Sequence, residues 1–215
     1  AQLRGCERVH ITETYRPMEQ QIRFCRTSDG VRLAYAIHGD GRPLLVVSGS
    51  FTHLQIEWDD AEVRAFWEGL ARGRRVIRYD KRGTGLSDWD VADLSFEARV
   101  RDLDAIADAL GLDHFELLGI SEGGATAAAF AARHPERVAS LMLYGAYPRL
   151  PFRRDLVDVF LHAIRTEWAV GSAAMTAFTV PGDTKSAAWL ADFMRACTSG
   201  ENAAGNLETT LEEDV

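Results

Sequence analysis

The chain of 215 residues carries a net charge of −8, with 47% hydrophobic and 26% charged residues, an ordinary balance for one soluble globular domain with a sizeable core. The acidic excess argues against nucleic acid or an anionic membrane as a partner. No apolar run approaches the roughly 20 residues of a membrane span, and the N-terminus lacks a signal-peptide core.

Three scattered cysteines, Cys6, Cys25 and Cys197, give neither metal-ligand spacing nor a disulfide framework. No metal and no cofactor are expected, and a reducing cytoplasm is the expected location. There is no internal repeat.

Residues 1–17 have no clear periodicity. Met18 reads as a natural start, which makes the preceding residues an upstream extension or the tail of something else. Gln21 to Arg26 and Val31 to Ile37 read as two strands joined at Ser28-Asp29-Gly30, where glycine accepts the positive φ of a tight hairpin. Leu44 to Val47 is a short, continuously apolar run, the pattern of a strand buried on both faces of a parallel sheet. It leads into Ser48-Gly49-Ser50-Phe51-Thr52-His53.

Trp58 to Arg72 reads as one amphipathic helix, with Val63, Phe66, Trp67 and Leu70 as its apolar stripe. Arg75 to Asp80 is the next strand, followed by the glycine-bearing loop Lys81 to Asp88. Ser95 reads as the N-cap of a helix from Phe96 to Leu110, which Gly111 ends.

The stretch Phe115 to Phe130 organises the rest. An apolar run leads into Gly119-Ile120-Ser121-Glu122-Gly123, and an alanine-rich helical segment follows. In a strand–turn–helix of this kind the apical serine takes a strained backbone conformation. Glycines two before and two after it let strand and helix pass closely. The hydroxyl then points outward, and the first amides of the helix can stabilise an oxyanion. Pro135 stops the helix, and Val138 to Tyr144 is the last predicted strand.

The alternation from 44 to 147 predicts right-handed crossovers and a mostly parallel central sheet with helices on both faces. Beyond Pro148 the character changes. Pro148 and Pro151 bracket a linker, and Arg153 to Val170, Ala173 to Phe178, Ser186 to Cys197 and Asn202 to Leu211 all read as helical. The expected organisation is an N-terminal extension (1–17), an α/β core (18–147) and a helical lid (148–215).

These residues carry a resemblance. Gly119-Ile120-Ser121-Glu122-Gly123-Gly124, the segment Asp80-Lys81-Arg82-Gly83-Thr84-Gly85-Leu86-Ser87 and the connector His134-Pro135-Glu136-Arg137-Val138 together resemble the α/β-hydrolase superfamily over residues 20–215. From Met18 onward the chain looks like hydrolase domains of bacterial proteins that also carry adenylate cyclase or LuxR-type regulatory modules.

The resemblance implies the α/β-hydrolase fold with its last strands missing, Ser121 as nucleophile, and the backbone amides of Ser50 and Glu122 as oxyanion donors. It also implies a small-molecule acyl substrate, ester-like, and an order of serine, acid, histidine, the last two after later strands. The chain is expected to end before those strands.

The base is therefore the open question, since a serine hydroxyl needs a histidine oriented by a carboxylate. His134 lies at the far end of the Ser121 helix, about 18–20 Å away at about 1.5 Å per residue, and reads as a connector. His162, with Asp158 one turn before it, has the right chemistry, but it shares a polar helix face with Asp155 and Arg165. His53 follows the Ser50 loop and reads as a pocket-lining or structural residue, with a base role as the alternative. Asp80 and Arg82 are expected to brace the loops, and Glu122 to favour the helix N-terminus. Gly83 and Gly85 lack the ending of a phosphate cradle. Trp168 and Trp189 line an apolar pocket or pack the lid. The rival to an enzyme is a sensor module that binds a small molecule without turnover, and a third reading is a fragment of a larger regulatory protein. Oligomeric state is not legible.

Overall fold

The computed structural model describes residues 18–149 and 153–212. The expected extension over 1–17 and the linker proline Pro151 lie outside the described residues. In chain order the elements are β1 (Gln21–Arg26), β2 (Arg32–His38), β3 (Arg42–Val47), α1 (Leu54–Asp59), α2 (Ala61–Leu70), β4 (Arg74–Tyr79) and α3 (Phe96–Ala109). There follow β5 (Phe115–Ile120), α4 (Gly123–Arg133), β6 (Val138–Tyr144), α5 (Arg154–Thr166), α6 (Trp168–Thr179), α7 (Thr184–Cys197) and α8 (Gly200–Glu212).

The strands form one sheet in the order β1-β2-β4-β3-β5-β6. The β1–β2 and β2–β4 pairs are antiparallel, and β4–β3, β3–β5 and β5–β6 are parallel. This is the mostly parallel sheet the alternation predicts. Successive residues of β3 face opposite ways. Leu45 and Val47 join Ile77, Tyr79 and Leu117 beneath Leu103 and Ile106 of α3 and Phe130 of α4. Leu44 and Val46 join Val76 and Leu118 beneath Trp58 of α1 and Trp67 of α2. Helices therefore cover both faces, and each fully buried aliphatic side chain in these layers stabilises the fold by roughly 1.5–3 kcal/mol.

Two helices differ from expectation for the same physical reason. The expected helix over 58–72 is broken at Asp60, whose carboxylate accepts from the amides of Glu62 (2.9 Å) and Val63 (3.0 Å) and restarts the chain as α2. The expected helix over 153–170 breaks at Glu167, whose side chain caps α6 at Ala169. In both places an acidic N-cap satisfies amides that continued periodicity would leave to the preceding turn.

Glycine makes the second break productive. A Cβ at Gly171 would lie 2.6 Å from the Ile164 Cα, so α6 folds back tightly onto α5. The polar face of α5 is as expected, with Asp155, Asp158, His162 and Arg165 exposed. Its buried side is Val157, Leu161 and Ile164, packed on Ala203 and Ala204 of α8 and on Phe51.

β6 is an edge of the sheet among the described residues. Val138 and Met142 pack against the core, but Leu143 at 53% and Tyr144 at 69% exposure leave the strand open on both faces.

Candidate active site

The site is built where β5 ends. Ser121 has φ 54°, the one positive φ at a non-glycine position among the described residues. Holding an L-residue there costs on the order of 1–3 kcal/mol and persists only where the surroundings over-determine it. They do so here. The Ser121 amide donates to the Tyr144 carbonyl at the end of β6 (2.9 Å), and its own carbonyl accepts from Gly124 (3.0 Å).

Two glycines give the turn its room. A Cβ at Gly119 would lie 2.6 Å from the Gly124 Cα, and one at Gly123 would overlap the carbonyl oxygens of Val47 and Ser48. Strand β3 and the N-terminus of α4 therefore pass at backbone contact. Gly49 lies directly against the serine, with its would-be Cβ 3.5 Å from the Ser121 Cβ. Replacing Ser121 by glycine is expected to leave the fold about 1 kcal/mol more stable than replacing it by alanine, because glycine adopts this φ without penalty. Urea unfolding of the two variants side by side measures this, and equal stabilities would mean the turn is unstrained.

The loop facing Ser121, residues 48–53, is held side chain by side chain. Ser50 Oγ donates to the Glu122 carboxylate. The Phe51 ring stacks on Trp168 of α6, centroids 6.2 Å apart. Thr52 Oγ1 lies 3.0 Å from Thr84 Oγ1. His53 caps α1, its Nδ1 accepting from the Ile56 amide (3.3 Å) while its own amide donates to Glu57 (3.2 Å), a reciprocal cap. The Leu54 amide donates to Asp80 (3.1 Å).

Asp80 is fully buried and also accepts from the Leu86 amide (2.8 Å). Burial pushes its carboxyl up to about 6, against the pull of those hydrogen bonds. Gly85 (φ 55°) closes over it, since any Cβ there would overlap the carboxylate. Arg82 is equally buried. It forks onto Asp102 (2.6 and 2.9 Å) and reaches Asp29 (2.9 Å) and the Asp93 carbonyl (2.9 Å). Asp80 and Arg82 thus brace the loops at the C-terminal ends of β3 and β4.

Sequence reasoning missed the environment of Glu122. Its side chain makes no cap hydrogen bond to α4. It is buried and ion-paired to Lys81 (3.3 Å) and to Arg99 of α3. Burial opposes its ionisation, but the two cations and the Ser50 hydrogen bond outweigh that and hold it down to about 2. Its contribution to stability is present above the ordinary glutamate value of 4.5 and is lost only as pH falls through about 2. The available signal was chemical: Lys81 and Glu122 occupy the variable positions of the two loop motifs, and opposite charges there are suited to pairing.

The helical segment is seated on the same loops. Thr198 Oγ1 (2.6 Å) and Asn202 Nδ2 (3.2 Å) donate to the Gly83 carbonyl. The Gly85 amide donates to the Cys197 carbonyl (2.7 Å). Thr209 Oγ1 donates to the Leu94 carbonyl (3.0 Å). Trp168 contacts Phe51 and donates to the Thr198 carbonyl (3.0 Å), whereas Trp189 is 42% exposed and stacks on Phe193.

The structure brings Ser121, Gly119, Gly123, Ser50 and Glu122 together. The described histidines take other places. His38 packs on Trp58 and contacts the Trp67 carbonyl (3.2 Å). His53 serves as the α1 cap, and burial depresses its pKa. His114 and His162 are exposed, and His134 pairs with Asp104 (3.4 Å). Asp158 is engaged by Arg154 (3.0 Å), not by His162.

Chemically, the arrangement offers a half-buried serine at the N-terminus of α4, where backbone amides and the helix dipole favour developing negative charge. Among the described residues no group of three or more His, Cys, Asp or Glu could hold a metal, and no helix is long and apolar enough to cross a membrane.

Residues 42–163 match the family model of the alpha/beta hydrolase fold. The chain is 40% identical over 142 residues to the 2-hydroxy-6-oxo-2,4-heptadienoate hydrolase of Pseudomonas putida, covering 58% of this chain and 50% of that protein. It is 36% identical over 118 residues to the 2-hydroxymuconate semialdehyde hydrolase of a Pseudomonas species, covering 54% and 41%. Among solved structures, the enol-lactonase of Burkholderia xenovorans superposes with a TM-score of 0.72 at 25% identity, covering 89% of this chain and 74% of that one. The chain spans about half the length of the curated relatives it matches.

Proposed function

Because the chain belongs to the α/β hydrolase fold family, we propose that it is the core of a serine-dependent hydrolase of ester-like acyl substrates, with Ser121 as nucleophile. The observation that carries this reading is the positive φ of Ser121 at the β5–α4 junction, with Gly49 packed against it. In this reading Ser121 Oγ attacks the acyl carbon, and the amides of Ser50 and Glu122 receive the oxyanion. The hydroxyl proton passes through a base to the leaving alcohol, and water then releases the acid. The helical segment from α5 to α8 acts as a lid over the loops on which it is seated. The names of the relatives, two dienoate or semialdehyde hydrolases and an enol-lactonase, support a small acyl or keto substrate.

The test is pre-steady-state hydrolysis of p-nitrophenyl esters of increasing acyl length. A burst of about one equivalent of nitrophenol per chain is expected, and Ser121→Ala should abolish it. A burst that survives in Ser121→Ala, or none from folded chain, would overturn the reading.

One observation favours a second reading. His53 is committed to a helix cap and His162 to solvent, so a site that binds a small molecule without turnover accounts for the same elbow. That reading predicts saturable stabilisation by acyl ligands with no nitrophenol released.

A further inference from the structure

Glu122 is the residue after Ser121, and its side chain is placed at a cost. Burying a carboxylate takes several kcal/mol unless charge and hydrogen bonds return it. A glutamate serving only the helix dipole could remain in solvent, and this one makes no cap bond at all. Its oxygens go instead to three separate parts of the molecule. One is Ser50 Oγ on the loop after β3, another is Lys81 on the loop after β4, and the third is Arg99 on α3.

Arg99 does not stop at Glu122. Its guanidinium also donates to the carbonyl (2.9 Å) and side-chain oxygen (3.2 Å) of Asn206 and lies 3.4 Å from Thr210 Oγ1, both on α8. A continuous path therefore runs from α8 through the buried Arg99 and Glu122 to the half-buried Ser50. On its far side the Ser50 loop meets the helical segment a second time, through Phe51 on Trp168.

We propose that Glu122 is a positioning residue: through Ser50 Oγ it holds the Ser50 amide at the height where an oxyanion forms, and Arg99 makes that position depend on the seating of α8. The inference rests on the assignment of Ser50 and Glu122 as oxyanion donors. One residue then supplies one donor by its own amide and sets the other by its side chain. Ordering of α8 over the loops and competence for acyl transfer become a single event, which would limit reaction at an open site.

The experiment uses the 215-residue chain, with fluorophosphonate labelling of Ser121 followed by intact mass and resolved into binding and inactivation constants. Three variants are compared: Glu122→Gln, Ser50→Ala and Asn206→Ala. Ser50→Ala keeps the backbone amide and removes only the tether, so it remains informative where Glu122→Gln fails to fold. A misplaced donor is expected to slow the inactivation step about ten-fold, less than the loss of a whole donor, with probe binding unchanged. Asn206→Ala is expected to slow the same step and to speed amide hydrogen exchange in residues 48–54 as well as in α8. The double variant Ser50→Ala, Asn206→Ala should be no slower than Ser50→Ala alone, since both act through one contact.

A labelled wild type with Ser50→Ala and Asn206→Ala at the wild-type rate would overturn this inference and leave the nucleophile standing. A folded wild type that takes no label would overturn both.

Discussion

Arg82→Met is expected to cost about 3–5 kcal/mol, the price of removing one partner from a buried ion pair. The guanidinium and the Asp102 carboxylate are each about 1% exposed, so no water replaces what is lost. Arg82 also joins three separated parts of the chain: the hairpin at Asp29, the loop carbonyl of Asp93 and helix α3 at Asp102.

The pH dependence has a definite sign. Burial already holds Asp102 above its ordinary value of 3.8, and Arg82 is the main opposing influence. A carboxyl whose folded pKa is raised stabilises the fold below its unfolded pKa and loses that contribution as pH rises through the folded value. The variant should therefore lose least near pH 4 and most at neutrality. Urea midpoints across that range measure it, and at neutral pH the melting temperature should fall by roughly 6–20 °C. A loss under about 1 kcal/mol would mean that the pair is solvated.

Gly123→Ala is expected to retain the fold while slowing acylation of Ser121 about 100-fold. The added methyl meets the carbonyl oxygens of Val47 and Ser48, which are backbone and cannot rotate away. Relief requires β3 and the loop after it to move off the α4 N-terminus. A shift on the order of 1 Å at a reacting centre costs about 10²-fold, and overpacking adds about 1–3 kcal/mol of instability. Gly69→Ala is the control. Gly69 is also helical, but it is exposed and nothing lies within 4 Å of its would-be Cβ. There alanine should stabilise by about 0.4–1 kcal/mol. Labelling rates and urea unfolding on both variants give the comparison, and equal effects would mean that close approach at Gly123 is not what the site requires.

The elements that were legible in the sequence are those where local chemistry and tertiary context agree. The Ser95 cap, the apolar run of β5 and the strand from Val138 to Tyr144 stand where their patterns put them. Asp60 and Glu167 show where pattern fails: hydrophobic spacing runs straight through both, and a single carboxylate restarts the helix. The same competition hid α1, whose cap is the histidine otherwise considered as a base.

Of the candidate site, the elbow could be read because its glycines and serine are adjacent in sequence. The cluster of Ser50, Lys81, Arg99 and Glu122 could not, because its members are separated by up to 72 positions. Only the packing of β3, β4 and α3 around the elbow brings them within reach of one another. The polar face of α5 was readable from periodicity alone, but which partner Asp158 takes depends on Arg154 one turn before it.

The central claim is that Ser121 is the nucleophile of this fold, and intact mass after fluorophosphonate treatment of the folded chain tests it most directly. A single adduct on the wild type and none on Ser121→Ala is the predicted result. An adduct that persists in Ser121→Ala, or no adduct on a chain shown to be folded, would contradict it.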